Sequence, residues 1–219
     1  LLFRNGCINQ VNDEIDFFCN SVPSSISILF GAPNKTDGLL FNSAYLIQNN
    51  RILHVYNKQE LPNYGVFDEK RYFSAGNDSF VFECQNTKIG VLICEDQWIE
   101  APITRLCQSN IDIVVSLNAS PFQLNKQNER IDICKNFAVK FDITFIYVNM
   151  VGGQDEVVFD GNSFVVNNKG DVSLQLPAFK ECTTSHIDTT PHQSKASDES
   201  SIYSAIVLAT KDYIQKNSF

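Results

Sequence analysis

Basic clusters, paired cysteines, ligand-spaced histidines and long apolar runs are all missing from this sequence, and each absence removes a class of function. Lys and Arg number 17 against 25 Asp and Glu, a formal net charge of -8. The few basic residues never gather into the patch that counterion release from a phosphate backbone needs, so no nucleic-acid partner is expected. The seven cysteines are odd in number and scattered, and no two are spaced C-x-x-C. That argues against a zinc clasp or a disulfide shuttle and predicts a reduced, cytoplasmic setting. His54, His186 and His192 form no ligand-spaced set, so no metal is expected. No run approaches the roughly 20 apolar residues of a membrane-spanning helix, and no basic-then-apolar leader opens the chain, so no membrane partner is expected either. The only methionine is Met150, which makes Leu1 a poor translation start and predicts an N-terminally truncated chain.

What is present is an ordinary globular composition. With 219 residues, 43% hydrophobic and 19% charged, the chain can bury one large core and the beginning of a second domain. Ile8, Val11, Ile15 and Phe18 recur at helical spacing, and Pro23 closes that helix before an apolar run, Ile26 to Phe30, that ends in Gly31-Ala32-Pro33. Ser43 to Ile47 and Ile52 to Tyr56 predict a hairpin about Asn49-Asn50, and Phe80 to Cys84 with Lys88 to Cys94 predict another about Gln85-Asn86-Thr87. A helix over 103–109 precedes a strand over 111–117, and a helix over 128–141 precedes a strand over 144–149. Val157 to Val166 and Val172 to Leu176 close the set as two strands about Asn168-Lys169-Gly170. The alternation predicts an α/β fold with two sheets between helix layers. Thr183 to Ser201, rich in Ser, Thr and Asp, predicts a linker. Ile202 to Phe219 predicts an amphipathic helix with no folded partner after it. The expected domains are therefore 1–182, a linker over 183–201, and the start of a second domain over 202–219.

Two stretches can carry chemistry. Ile89 to Trp98 is a buried strand that delivers Cys94 at its carboxyl end and runs on into acidic residues, a place where a rigid sheet can hold a thiol against an open loop. The plainer account is a small buried hydrophobe, which is what most free cysteines are. In Asn57 to Phe73, Lys58 closes a strand and a long loop follows; a lysine there could face a developing oxyanion, or could be a solvated surface cation, just as Glu69 could be an ordinary loop carboxylate.

Taken together these stretches resemble the nitrilase superfamily of carbon-nitrogen hydrolases, which use a Glu-Lys-Cys triad to form a thioester with an amide or nitrile carbon. KQELPNYGVFDEKRYF (58–73), GVLICEDQW (90–98), NASPF (118–122) with Lys126 and Arg130, and GGQDEVVFDGNSFV (152–165) occur in the order found in the glutaminase domain of glutamine-dependent NAD synthetases. IYSAIVLATKDYIQKNSF is similar to the first helix of the synthetase domain in that family, and the Gly-rich ATP loop that follows it there is absent from this chain. The resemblance implies a four-layer αββα sandwich and a homo-oligomeric assembly. It implies Cys94 as nucleophile, Lys58 as the cation beside it and Glu69 as the group that orients Lys58. It also implies Tyr64 and Glu95 at the amino-acid end of glutamine, with Ser120 and Arg130 helping to bind its charged groups. A packed aromatic and a surface ion pair are the alternatives for Tyr64 and Arg130, and turns are the simpler account of Asn118 to Phe122 and of Asp160-Gly161. The family's general-base glutamate lies ahead of the first helix, so it is not among these residues, and no other carboxylate is assigned to its place. No cofactor is implied for the hydrolytic half; ATP and Mg2+ with deamido-NAD belong to the absent synthetase half. A stand-alone amidase acting on another small amide, or an inactive fragment, would share the same motifs.

Overall fold

The computed structural model describes residues 2–4, 6–185 and 197–219. In chain order these form α1 (Cys7–Ser21), β1 (Ile28–Thr36), β2 (Leu39–Gln48), β3 (Arg51–Asn57), β4 (Phe80–Cys84), β5 (Thr87–Ile93), α2 (Glu100–Cys107), β6 (Ile113–Asn118), α3 (Lys126–Phe141), β7 (Thr144–Asn149), β8 (Val151–Gln154), β9 (Val157–Asp160), β10 (Phe164–Val166), β11 (Val172–Gln175) and α4 (Asp198–Lys216). Short 3-10 turns lie at Glu69–Arg71 and Cys94–Gln97. The fold is α/β. The chain divides into two compact units, Leu1–Val81 with Val91–Gln108 and Phe82–Gly90 with Ser109–Phe219.

The first unit is built on an antiparallel sheet of order β1-β2-β3. Both of its turns use two consecutive left-handed residues, Asp37-Gly38 (φ 53° and 79°) and Asn49-Asn50 (φ 53° and 59°). That conformation matches the natural twist of paired strands, and Asn, Asp and Gly reach it at low cost. The predicted β2–β3 hairpin is present with Gln48 opposite Arg51; the β1–β2 hairpin was not expected. Gly31-Ala32-Pro33 continues β1 instead of ending it. Proline is accepted there because β1 is an edge strand, where one face of the backbone has no ladder to join. The buried face of α1 places Ile15 and Cys19 against Tyr45 and Ile47 of β2, with Val11 and Phe30 beside them. Asn50 Nδ2 donates to the Cys19 and Val22 carbonyls at 3.4 and 2.8 Å, so the β2–β3 turn caps the end of α1.

The second unit is built on a sheet of order β11-β10-β7-β6-β5-β4, to which the β4–β5 hairpin contributes Phe82–Gly90. β6 and β7 are parallel, with Ile113 opposite Thr144, and α3 provides the crossover that parallel pairing requires. The single strand expected over 157–166 is two strands, because Gly161 and Asn162 both adopt left-handed φ (63° and 55°) and turn the chain out of register. β9 pairs with β8, and β10 with β7 and β11.

α4 begins at Asp198, ahead of the expected Ile202, because Ser197 Oγ caps it by accepting from the Ser200 N–H at 3.2 Å. Residues 186–196 of the expected linker lie outside the described residues. The helix packs on the β8–β9 hairpin: the Gly153 N–H donates to Asp212 Oδ2 at 2.7 Å, and Lys216 Nζ donates to the Gly153 carbonyl at 2.6 Å. A Cβ on Gly153 would lie 2.9 Å from the Ala209 Cα, so this approach needs glycine. Gly153→Ala is expected to weaken the docking by about 1–3 kcal/mol, the range of an overpacked contact. Hydrogen exchange should then quicken across α4 and stay unchanged in β6 and β7; unchanged exchange in α4 would refute the contact.

Candidate active site

Lys58 and Cys94 each sit one residue beyond a strand, after β3 and after β5. The Lys58 backbone is held on both sides, its N–H donating to the Asn42 carbonyl and its own carbonyl accepting from the Gly76 N–H, each at 2.8 Å. Any side chain on Gly76 would collide with the Asn57 backbone, so glycine lets the returning loop close on Lys58. The Lys58 side chain is 1% exposed, and its Nζ lies 2.6 Å from Glu69 Oε1. A buried ammonium needs such a counter-charge. The short turn at Glu69–Arg71 presents that carboxylate, and Asn42 Nδ2 donates to its other oxygen at 3.4 Å.

Cys94 has φ 45°, a left-handed conformation that a residue with a Cβ adopts only when its surroundings enforce it. The thiol is half-buried. Burial pushes its pKa up to about 11; the Lys58 charge pulls it down, while Glu69, Glu95 and Asp96 push it up. In the structure as it stands, Cys94 is a protonated thiol near neutrality, and attack requires a base to remove its proton. Tyr64 OH donates to Glu95 Oε1 at 2.8 Å. Burial, and then that bond, push the Tyr64 phenol up to about 12.

Asp96 was not singled out from sequence, although it stands two residues after the thiol. It is fully buried. Its Oδ1 accepts from the Gln59 and Glu60 N–H groups at 3.0 and 2.8 Å, and its Oδ2 from the Ile93 N–H at 3.0 Å and from Tyr56 OH at 2.9 Å. Gln59 Nε2 in turn donates to Tyr56 OH at 2.9 Å, and Arg105 donates to Gln59 Oε1. Burial raises the Asp96 pKa, and the Glu60, Ile93 and Tyr56 bonds oppose that rise. The only sequence signal for this group was an acidic residue directly after an apolar strand.

Cys94, Lys58, Glu69, Tyr64 and Glu95 all belong to the first unit; Ser120 and Arg130 belong to the second. Arg130 is fully buried in that unit, so it is not a surface ion pair. It donates to both oxygens of Asp160 at 2.9 and 3.0 Å, to Ser120 Oγ at 3.1 Å and to the Ser120 and Pro121 carbonyls, both at 2.8 Å. Ser120 is therefore fixed from its side chain and its carbonyl, and its N–H donates to Asn149 Oδ1 at 2.9 Å. Among the described residues no three His, Cys, Asp or Glu side chains gather to hold a metal ion, and no helix is long and apolar enough to cross a membrane. All seven cysteines are free.

The sequence profile of the carbon-nitrogen hydrolases matches residues 21–193. A glutamine-dependent NAD(+) synthetase of Acinetobacter baylyi is 40% identical over 203 residues, covering 89% of this chain and 38% of that protein. One from Synechocystis is 34% identical, covering 100% of this chain and 44% of that protein. The chain thus spans about two fifths of the length of the curated relatives it matches. Among solved structures, the glutamine-dependent NAD+ synthetase from Acinetobacter baumannii in complex with ADP superposes with a TM-score of 0.92 at 36% identity, over 100% of this chain and 43% of that one. A carbon-nitrogen hydrolase from Helicobacter pylori shares the fold, with a TM-score of 0.69 at 24% identity over 77% of this chain and 64% of that one.

Alkylation of Cys94, followed by mass spectrometry of its peptide, is expected to be slow at neutral pH and to climb as pH nears about 11, because the thiolate is the reacting form. Lys58→Met removes the charge that lowers this pKa and should slow the reaction further at every pH below the titration. Equal or faster alkylation would show that the Lys58 charge does not act on the thiol.

Proposed function

The chain belongs to the carbon-nitrogen hydrolase family, and from that premise we propose that it hydrolyses the side-chain amide of glutamine through a thioester on Cys94, supplying ammonia to an NAD-forming synthetase. The observation that carries this reading is the buried Lys58–Glu69 ion pair whose charges act on a half-buried strand-end thiol. Identity of 34–40% to proteins named glutamine-dependent NAD(+) synthetases supports glutamine as the amide.

An amide carbon is a poor electrophile, so the site must supply an activated sulfur, a proton route and a stabiliser for the tetrahedral oxyanion. In this reading the Cys94 sulfur attacks the amide carbon after giving its proton to a base. The C–N bond then breaks as the nitrogen takes up a proton and leaves as ammonia. Water splits the thioester, releasing glutamate and restoring the thiol. Lys58 faces the developing oxyanion together with a backbone amide near Glu95, and Glu69 holds the ammonium in position. Glu69 holds Lys58 and accepts from Asn42; the base, as the family resemblance implies, is a glutamate that is not among these residues. Glu95, oriented by Tyr64, takes the α-ammonium of glutamine. The resemblance gives Ser120 and Arg130 a part in binding glutamine's charged groups, and within their own unit Arg130 Nε donates to Ser120 Oγ at 3.1 Å.

Ammonia made this way would convert deamido-NAD, activated by ATP with Mg2+, to NAD in the synthetase part of the whole protein. In this reading ATP and Mg2+ belong to the synthetase step, as the family resemblance implies, and the hydrolytic steps above are written with this chain's own side chains.

In the full-length protein, Cys94→Ala is expected to abolish glutamine-dependent NAD synthesis while leaving synthesis from added ammonia intact. Parallel loss of both would refute the division of labour. Lys58→Ala should lower glutamate release by more than about a hundredfold, or about 2.7 to 4 kcal/mol, the scale of one lost oxyanion donor. A near-normal rate would remove Lys58 from the mechanism.

A further inference from the structure

The structure assigns Asp96 as the positioning residue of this site: one buried carboxylate ties the residue before the nucleophile to the two residues after the cation, and so holds Cys94 and Lys58 in register. The inference rests on the reading of those two as the reacting pair. Its geometry is specific. Ile93, which donates to Oδ2, immediately precedes Cys94, while Gln59 and Glu60, which donate to Oδ1, immediately follow Lys58. All three bonds come from backbone N–H groups, so they fix the main chain whatever side chains surround it.

The ionised form is the one the surroundings accept. Three of the four partners are backbone donors that cannot reverse. The fourth, Tyr56 OH, already accepts from Gln59 Nε2, and the Gln59 carbonyl oxygen is held by Arg105. Arg105, Gln59 and Tyr56 therefore form a chain of donors that all point toward Asp96. A proton on the carboxyl would leave two donors facing each other, which buried groups avoid.

Electrostatics separates positioning from direct activation. Of the charges that act on the Cys94 thiol, Lys58 favours the thiolate, and Glu69, Glu95 and Asp96 all oppose it. Asp96 thus has the wrong sign to activate the sulfur by its charge, and its contribution has to be structural order. The left-handed backbone at Cys94 (φ 45°) is the strained element that this order maintains.

The test uses the rate of Cys94 alkylation by iodoacetamide, read on the Cys94 peptide, in Asp96→Asn, Lys58→Met and the double variant. Asparagine keeps the shape but turns one acceptor into a donor, so it cannot hold both backbone segments. If Asp96 positions the pair, Lys58 is released from the thiol, and alkylation at about pH 8 slows by about tenfold, the factor for one pKa unit. Adding Asp96→Asn to Lys58→Met should then slow it no further, since contacts that act together are non-additive. Loss of one negative charge alone, or general loosening that wets the thiol, would speed alkylation. A faster or unchanged rate therefore overturns the proposal. Should Asp96→Asn lack a cooperative thermal transition, Tyr56→Phe carries the same test by removing one donor and leaving the ring packed; slowing is again expected, and its absence overturns the proposal. The assay needs no turnover, so failure of the glutaminase reading, seen as glutamine-dependent synthesis that survives Cys94→Ala, is a separate result.

Discussion

A carboxylate with no exposure to water is tolerated only where hydrogen bonds replace the water it has lost, and the first unit is organised around one such group. The four bonds to Asp96 come from chain segments about thirty-five residues apart in sequence, at the end of β3 and the end of β5. Without that convergence, the strained turn at Cys94 and the buried ammonium at Lys58 would have nothing in common to hold them. The backbone segments beside the Cys94 turn and beside the buried Lys58 are thus joined through the same carboxylate.

Opposing influences act on the Cys94 thiol in the same unit. Burial and three carboxylates hold the Cys94 proton on, and one lysine works against them. Because Lys58 is itself buried, it is held by Glu69 at 2.6 Å and cannot swing toward solvent. A cation pinned in this way can meet a developing oxyanion without first reorganising, which is where most of the electrostatic advantage of such sites lies. In the second unit, Arg130 plays an analogous structural part. Its donors are all met by Asp160, Ser120, Pro121 and Gln127, so the turn after β6 is tied to α3 through one buried side chain.

Much of the fold was legible because local signals and tertiary demands agreed. The 3.6-residue spacing of Val11, Ile15 and Phe18 marked α1, and β7 was bounded correctly from an apolar run ending at Asn149. The Asn49-Asn50 turn carried its own explanation in residues that tolerate positive φ. The errors came where context overrode pattern. Pro33 looked like a strand end, but an edge position accepts it. Val157 to Val166 looked like one strand, but the left-handed pair Gly161-Asn162 sends its halves to different sheets. For Arg130 the sequence left a surface ion pair open beside a binding role, and its enclosure by Asp160 and backbone carbonyls removes the surface alternative.

By itself, the sequence determined the class of chemistry. A thiol at the end of an apolar strand, a lysine at the end of another, and four motifs in order are local facts, and they need no coordinates to identify the family. What only the tertiary structure decided is which groups share a site and in what state. That Glu69 rather than Glu60 meets Lys58, that Asp96 rather than Glu95 turns inward, and that the thiol is held in its protonated form all depend on burial and on distances between segments remote in sequence. The energy of a charge is set by what surrounds it in space, and a linear pattern of residues does not contain that information.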